Sequence, residues 1–181
     1  MIYVFLAEGF EEIEALTPVD MLRRAGLEVK TVAVGDSNTL IGAHGIRVVA
    51  DMNEKDYCDH EPLAIILPGG MPGTTNLENS ATVSAAIIEA ASRGSLICAI
   101  CAAPSILGIT GLLKGRKATC FPGFEEYLDN AIVVDERVVR EGNVITSKGM
   151  GCAAEFSHAI IEALLGTEKA DEIAKSAFIN V

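Results

Sequence analysis

The chain has 181 residues, enough for one domain with a substantial core. Half of its residues are hydrophobic and 22% are charged, which excludes an intrinsically disordered chain. Its 25 acidic against 14 basic residues leave a net charge of -11, which argues against nucleic acid or an anionic membrane as partner and for a soluble, cytoplasmic protein.

Apolar runs alternate with helical patterns along the chain. Ile2–Leu6 reads as a buried strand with no basic region before it, so no secretory signal is expected. Residues 11–25 read as a helix, with Pro18 after Thr17 as a kink or a new first helical position, and Gly26 closing it. Residues 27–34 read as a strand, 40–51 as a hairpin or short strands around Gly42 and Gly45, and 63–67 as a buried strand ending in Pro68-Gly69-Gly70. Residues 80–93 read as a helix, 95–100 as a buried strand, 102–113 as a helix and 117–120 as a short strand. Residues 132–134, 138–140 and 144–146 read as a meander, and 152–165 and 168–177 as closing helices. The uncharged stretch 94–113 is long enough to span a bilayer. Ser95, Pro104, Ser105, Gly108, Thr110 and Gly111 interrupt it, and it reads as strand, bend and helix instead.

Near-continuous apolar strands separated by helices imply an α/β fold: a doubly wound, mostly parallel sheet in a three-layer sandwich, one domain over residues 1–181. In such folds ligands bind beyond the carboxyl ends of the strands. The segments Ala7-Glu8-Gly9, Pro68-Gly69-Gly70 and the bend at Cys101 are expected to converge there.

Cys101 lies in Ala99-Ile100-Cys101-Ala102-Ala103-Pro104, where an apolar run ends at a sulfur flanked by small residues. This parallels the serine nucleophile elbow, whose strained turn admits only small neighbours. A helix starting just after the thiol would favour thiolate through its dipole. The five cysteines are an odd number without export signal and are expected as reduced thiols. Cys98-x-x-Cys101 has redox-motif spacing, but Cys98 falls inside the strand pattern, which weakens a dithiol oxidoreductase reading. No Cys/His cluster has zinc-site spacing, and no metal or cofactor is expected; Glu155 and His158 at i, i+3 read as helix surface.

Among Glu8, Glu11, Glu12 and Glu14, the first three read as a solvated helix start. Glu14 is flanked by Ile13, Ala15 and Leu16, and a carboxyl in apolar surroundings tends to keep its proton. The Gly70 N–H and the Ala102 N–H are candidate oxyanion donors. Of the three histidines, His158 falls in a late helix and His60 in an acidic loop; His44 is the loop candidate near a ligand edge. There is no phosphate-binding glycine motif.

Taken together, Ala7–Glu14, Pro18-Val19-Asp20, Arg23-Arg24-Ala25-Gly26, Leu67–Gly70, Ala99–Pro104 and Thr146–Gly151 resemble the ThiJ/PfpI superfamily and its DJ-one branch. The resemblance implies a flavodoxin-like homodimer. Cys101 is then the oxidisable nucleophile, Glu14 the protonated acid beside it, and Gly70 and Ala102 the backbone donors. Arg24 becomes a basic position near the dimer interface and the site. Phe121 stands where some members carry histidine, Ala102 where peptidase-like members carry histidine, and His44 where an arginine is common. Cys120 is a buried filler or a resolving thiol.

The resulting expectation is a cofactor-free glyoxalase III or deglycase acting on small α-oxoaldehydes or their adducts. The alternative is an oxidative-stress sensor or chaperone whose cysteine goes to sulfinate without turnover. A glutamine amidotransferase-like hydrolase would need a His-x-Glu that His158-Ala159-Ile160 does not supply.

Overall fold

A computed structural model describes residues 1–58 and 61–181. The strands in chain order are β1 (Ile2–Leu6), β2 (Val29–Ala33), β3 (Thr39–Ile41), β4 (Arg47–Val49), β5 (Met52–Asn53), β6 (Ala64–Leu67), β7 (Leu96–Ile100), β8 (Lys117–Ala118), β9 (Ile132–Val133), β10 (Val138–Glu141) and β11 (Val144–Ser147). The helices are α1 (Glu12–Arg24), α2 (Gly73–Glu78), α3 (Ala81–Arg93), α4 (Pro104–Ile109), α5 (Ala153–Leu165) and α6 (Thr167–Ser176).

Seven strands form the main sheet in the order β10-β11-β7-β6-β1-β2-β5. Every neighbouring pair in it is parallel except β10 with β11. β1 and β7 are buried along their whole length because both faces of the sheet are covered. Period-two alternation sorts β1 between two cores. Ile2, Val4 and Leu6 pack in one cluster with Leu22, Phe156, Ile160 and Ile173 of α1, α5 and α6. Tyr3 and Phe5 pack in the other with Leu77, Val83, Ile87 and Leu107 of α2, α3 and α4. The architecture is therefore the α/β three-layer sandwich expected.

From β1 the chain moves to β2 on one side, and β6 lies on the other. A strand whose two sides are filled from different parts of the chain leaves a crevice at its carboxyl end. The loops after β1, β6 and β7 all open there.

Four readings of the elements need correction. α2 has no counterpart among the expected elements; its sequence Gly-Thr-Thr-Asn-Leu-Glu carries two β-branched residues and no helical apolar period. The helix expected over 102–113 is only α4, since Gly108 packs tightly on the backbone of Tyr127 and Leu128, and Gly111 is left-handed at φ +75°. The stretch expected as the first strand of a meander is β9, and it pairs parallel with β8 in a separate two-stranded sheet. β5 adds an edge strand beyond β2, while 40–51 forms the β3–β4 hairpin. The apolar stretch 94–113 resolves into β7, a bend, α4 and turns, and no helix among the described residues is long and apolar enough to cross a membrane.

Candidate active site

Cys101 follows β7 directly and sits at φ +66°, a left-handed conformation that a non-glycine residue adopts at a cost of about 1–3 kcal/mol. Two backbone hydrogen bonds hold it there. The Cys101 N–H donates to Ser147 C=O at 2.8 Å, and the Phe121 N–H donates to Cys101 C=O at 2.7 Å. The neighbouring strand end and the loop after β8 thus clamp the bend from both sides, and its side chain is left partly open.

Glu14 lies in the first turn of α1 and is only 1% exposed. The Gly69 N–H donates to its Oε2 at 2.9 Å, the Met150 N–H donates to the same carboxyl, and the carboxyl is hydrogen-bonded to the Cys101 sulfur. Burial pushes the Glu14 carboxyl up, and the charge of Glu11 adds to that; the hydrogen bonds from Cys101, Gly69 and Met150 pull against them, leaving it at about 7. The direction is the one the sequence suggested.

The thiol does not follow the dipole argument. α4 begins only at Pro104 and has six residues. Burial first, then the charge and hydrogen bond of Glu14, push the Cys101 thiol up to about 12, against the Ala102 and Gly70 N–H groups that favour the anion. Between these two values the pair shares one proton. That proton is held in the contact between sulfur and carboxyl, so Glu14 is placed to exchange it with Cys101. Gly70 and Ala102, read from sequence as oxyanion donors, have their N–H groups on the Cys101 sulfur itself.

Gly69 is where the pair is most crowded. A Cβ there would lie 2.7 Å from both Cys101 Cβ and Glu14 Oε2. Gly69→Ala is expected to destabilise the fold by about 2 kcal/mol, by overpacking, in a urea titration.

The remaining acids of the first loop are not a free solvated cluster. Glu8 accepts from the Ile41 N–H at 3.0 Å, and Glu11 caps α1 by accepting from the Glu14 N–H at 2.7 Å. Glu12 is buried and ties down the hairpin: His44 N–H and Nδ1 contact it at 2.8 Å each, and the Ile46 N–H at 3.3 Å. Burial pushes the Glu12 carboxyl up, but these bonds outweigh it and leave it below the usual value. The Glu12 hydrogen bond and charge raise His44, which is 70% exposed.

The signs define a window. The Glu12 contribution holds above the ordinary carboxylate range and is lost as pH falls through its lowered value. The His44 contribution holds below the ordinary imidazole value and is lost as pH rises through its raised one. His44→Gln is expected to lower the melting temperature at mildly acidic pH, with the two curves converging as pH rises past the elevated His44 value.

Glu11, Glu12 and His44 bring ligand atoms within 4.8 Å of one another, but both Glu12 oxygens are already engaged by the hairpin. Glu155 pairs with Arg137 at 2.7 Å and His158 with Asp171 at 2.9 Å, so they serve separate contacts. Arg24 ends α1, ten residues and ~15 Å of helix from Glu14, and pairs with Asp20 at 2.6 Å. Within one subunit it does not reach the site. His60 lies outside the described residues. Cys98 is fully buried inside β7, and burial pushes its thiol well up. Cys120 packs in the α3–α4 core, whereas Cys101 packs against the α1–α5 core, so the geometry favours the filler reading of Cys120. Burial also raises the Cys120 thiol to about 11. Sequence reasoning placed Gly69 in the crevice loop but not its bond to Glu14, and gave Met150 and Ser147 no role; each contributes only a backbone group, which no side-chain pattern announces.

A family model for the DJ-1/PfpI family matches residues 1–163. The Arabidopsis thaliana protein DJ-1 homolog B is 41% identical over 93% of this chain, which spans 39% of that relative's length. Its homolog A is likewise spanned over only 44%. The Caenorhabditis elegans glutathione-independent glyoxalase DJR-1.2 is 36% identical, with 93% of this chain and 90% of that protein covered. Among solved structures, oxidized Toxoplasma gondii DJ-1 superposes with a TM-score of 0.93 at 34% identity, covering 99% of this chain and 98% of that one. With its parallel sheet, its bend cysteine and these matches, the chain belongs to the DJ-1/PfpI family.

Proposed function

We propose that this protein is a cofactor-free glyoxalase III or deglycase, converting small α-oxoaldehydes such as methylglyoxal to 2-hydroxy acids. The observation that carries the reading is the Glu14 carboxyl, buried, held at about 7 and hydrogen-bonded to the Cys101 sulfur. The name of the nematode relative supports the same chemistry.

Ionised Glu14 accepts the Cys101 proton as sulfur adds to the aldehyde carbon. The C–S bond forms, the C=O π bond opens, and the oxygen takes the proton to give a hemithioacetal. Glu14 next removes the hydrogen from that carbon, the electron pair makes an enediolate, and the hydroxyl proton passes to the neighbouring oxygen. Returning the proton to the neighbouring carbon leaves a thioester of the 2-hydroxy acid. Water then adds to the thioester, the C–S bond breaks, and the thiol is restored. The sum is one oxoaldehyde plus one water. As charge moves from sulfur to oxygen, the Gly70 and Ala102 N–H groups are the donors within reach. Glycated thiols and amines enter through the same sulfur addition, which is the deglycase variant.

On this reading the chain is one domain over residues 1–181 and a cytoplasmic homodimer, with Arg24 at the subunit contact. The test is methylglyoxal consumption with lactate detection, comparing the parent protein with a Cys101 variant.

A second reading is favoured by the two N–H groups already on sulfur, which suit the oxygens of an oxidised cysteine. Two equivalents of peroxide would carry the thiol to sulfinate, releasing two waters. Gain of two oxygens on Cys101 in the intact mass, without aldehyde turnover, would support this sensor.

A further inference from the structure

One large apolar side chain borders the Cys101–Glu14 pair and stays half uncovered: Phe121, at 47% exposed. Phe121 is held against the bend by its N–H on Cys101 C=O. A Cβ on Gly149 would lie 3.4 Å from Cδ2 of the Phe121 ring and 3.8 Å from Glu14 Oε1. Ring edge and acid therefore both border the space that the glycine leaves open. The charges acting on the pair are negative, Glu14 on Cys101 and Glu11 on Glu14.

A benzene ring supplies no proton and accepts no metal; next to a nucleophile it offers apolar area. A neutral ligand bonded to the sulfur through its aldehyde carbon would lay its substituent against this wall. A substituent bearing carboxylate or phosphate would meet an apolar ring on one side and acidic groups on the other. We propose that Phe121 forms an apolar subsite receiving the hydrophobic substituent of the oxoaldehyde, so that aromatic oxoaldehydes outperform glyoxal. This rests on the oxoaldehyde reading above. Discrimination by an apolar pocket of this kind is about tenfold.

The experiment separates the subsite from the reaction. The parent protein, Phe121→Ala and Phe121→Leu are each treated with 2-bromoacetophenone and with iodoacetamide. Labelling of Cys101 is followed by peptide mass, and each rate is divided by that of free N-acetylcysteine. The parent should prefer the aromatic reagent by about tenfold. Phe121→Ala should lose the preference and Phe121→Leu keep most of it. The kcat/KM ratio of phenylglyoxal to glyoxal should fall in parallel in Phe121→Ala. An unchanged ratio in Phe121→Ala, by labelling or by turnover, overturns the subsite. A labelling preference that depends on Phe121 with no turnover of either aldehyde overturns the oxoaldehyde reading while leaving the apolar wall in place.

Discussion

Cys101→Ser is expected to consume methylglyoxal at least ~1,000-fold more slowly than the parent protein. Serine keeps the shape of the side chain and the two backbone bonds that fix the bend, so circular dichroism should show the same fold. What changes is the nucleophile. An alcohol is far less acidic than a thiol, and Glu14 at about 7 cannot take its proton to any useful extent. Sulfur also gives the thioester whose hydrolysis closes the cycle. Lactate production by the serine variant within tenfold of the parent would show that the chemistry runs elsewhere, and the proposed function would fall with it.

Glu14→Gln should lower turnover by about 100- to 10,000-fold and, above neutral pH, make the protein more stable. The first effect is the loss of the base in contact with the thiol. The second follows from linkage. The carboxyl is raised from 4.5 to about 7 in the folded protein. Its contribution to stability is therefore full below the unfolded value and is lost as pH rises through about 7. Above that point the buried charge costs about 3 kcal/mol, an upper figure because glutamine offers one acceptor oxygen where the carboxylate serves both Gly69 and Met150. Melting curves should coincide for the two proteins in acid and separate by several degrees in mild alkali. Activity of the parent should rise through the same interval as Glu14 loses its proton. Equal melting temperatures at every pH would mean that the carboxyl is not held above its ordinary value.

Sequence made the framework readable because burial on both faces leaves uninterrupted apolar runs, as in β1, β6 and β7. The crevice followed from strand ends, and Cys101 and Glu14 stood out against their apolar neighbours. What it could not convey was protonation. A helix dipole concerns only the chain around Cys101, whereas the thiol answers to a carboxylate from another element, 87 positions away in the sequence. The acidic run misled for a similar reason. Glu12 reads as solvated until the hairpin folds back to cover it. Short elements such as α2 and β9 depend on packing partners distant in the chain, and local pattern carries little trace of them.

The four amide groups around the reactive pair belong to Gly69, Gly70, Ala102 and Met150. Main-chain donors are spared by every replacement the local space tolerates, proline excepted. Mutation at these positions can disturb spacing, but it cannot readily erase the electrostatics that serve the sulfur. Evolution is thereby free to vary the side chains facing the opening, and one inherited reactive centre can be offered to new ligands without being rebuilt.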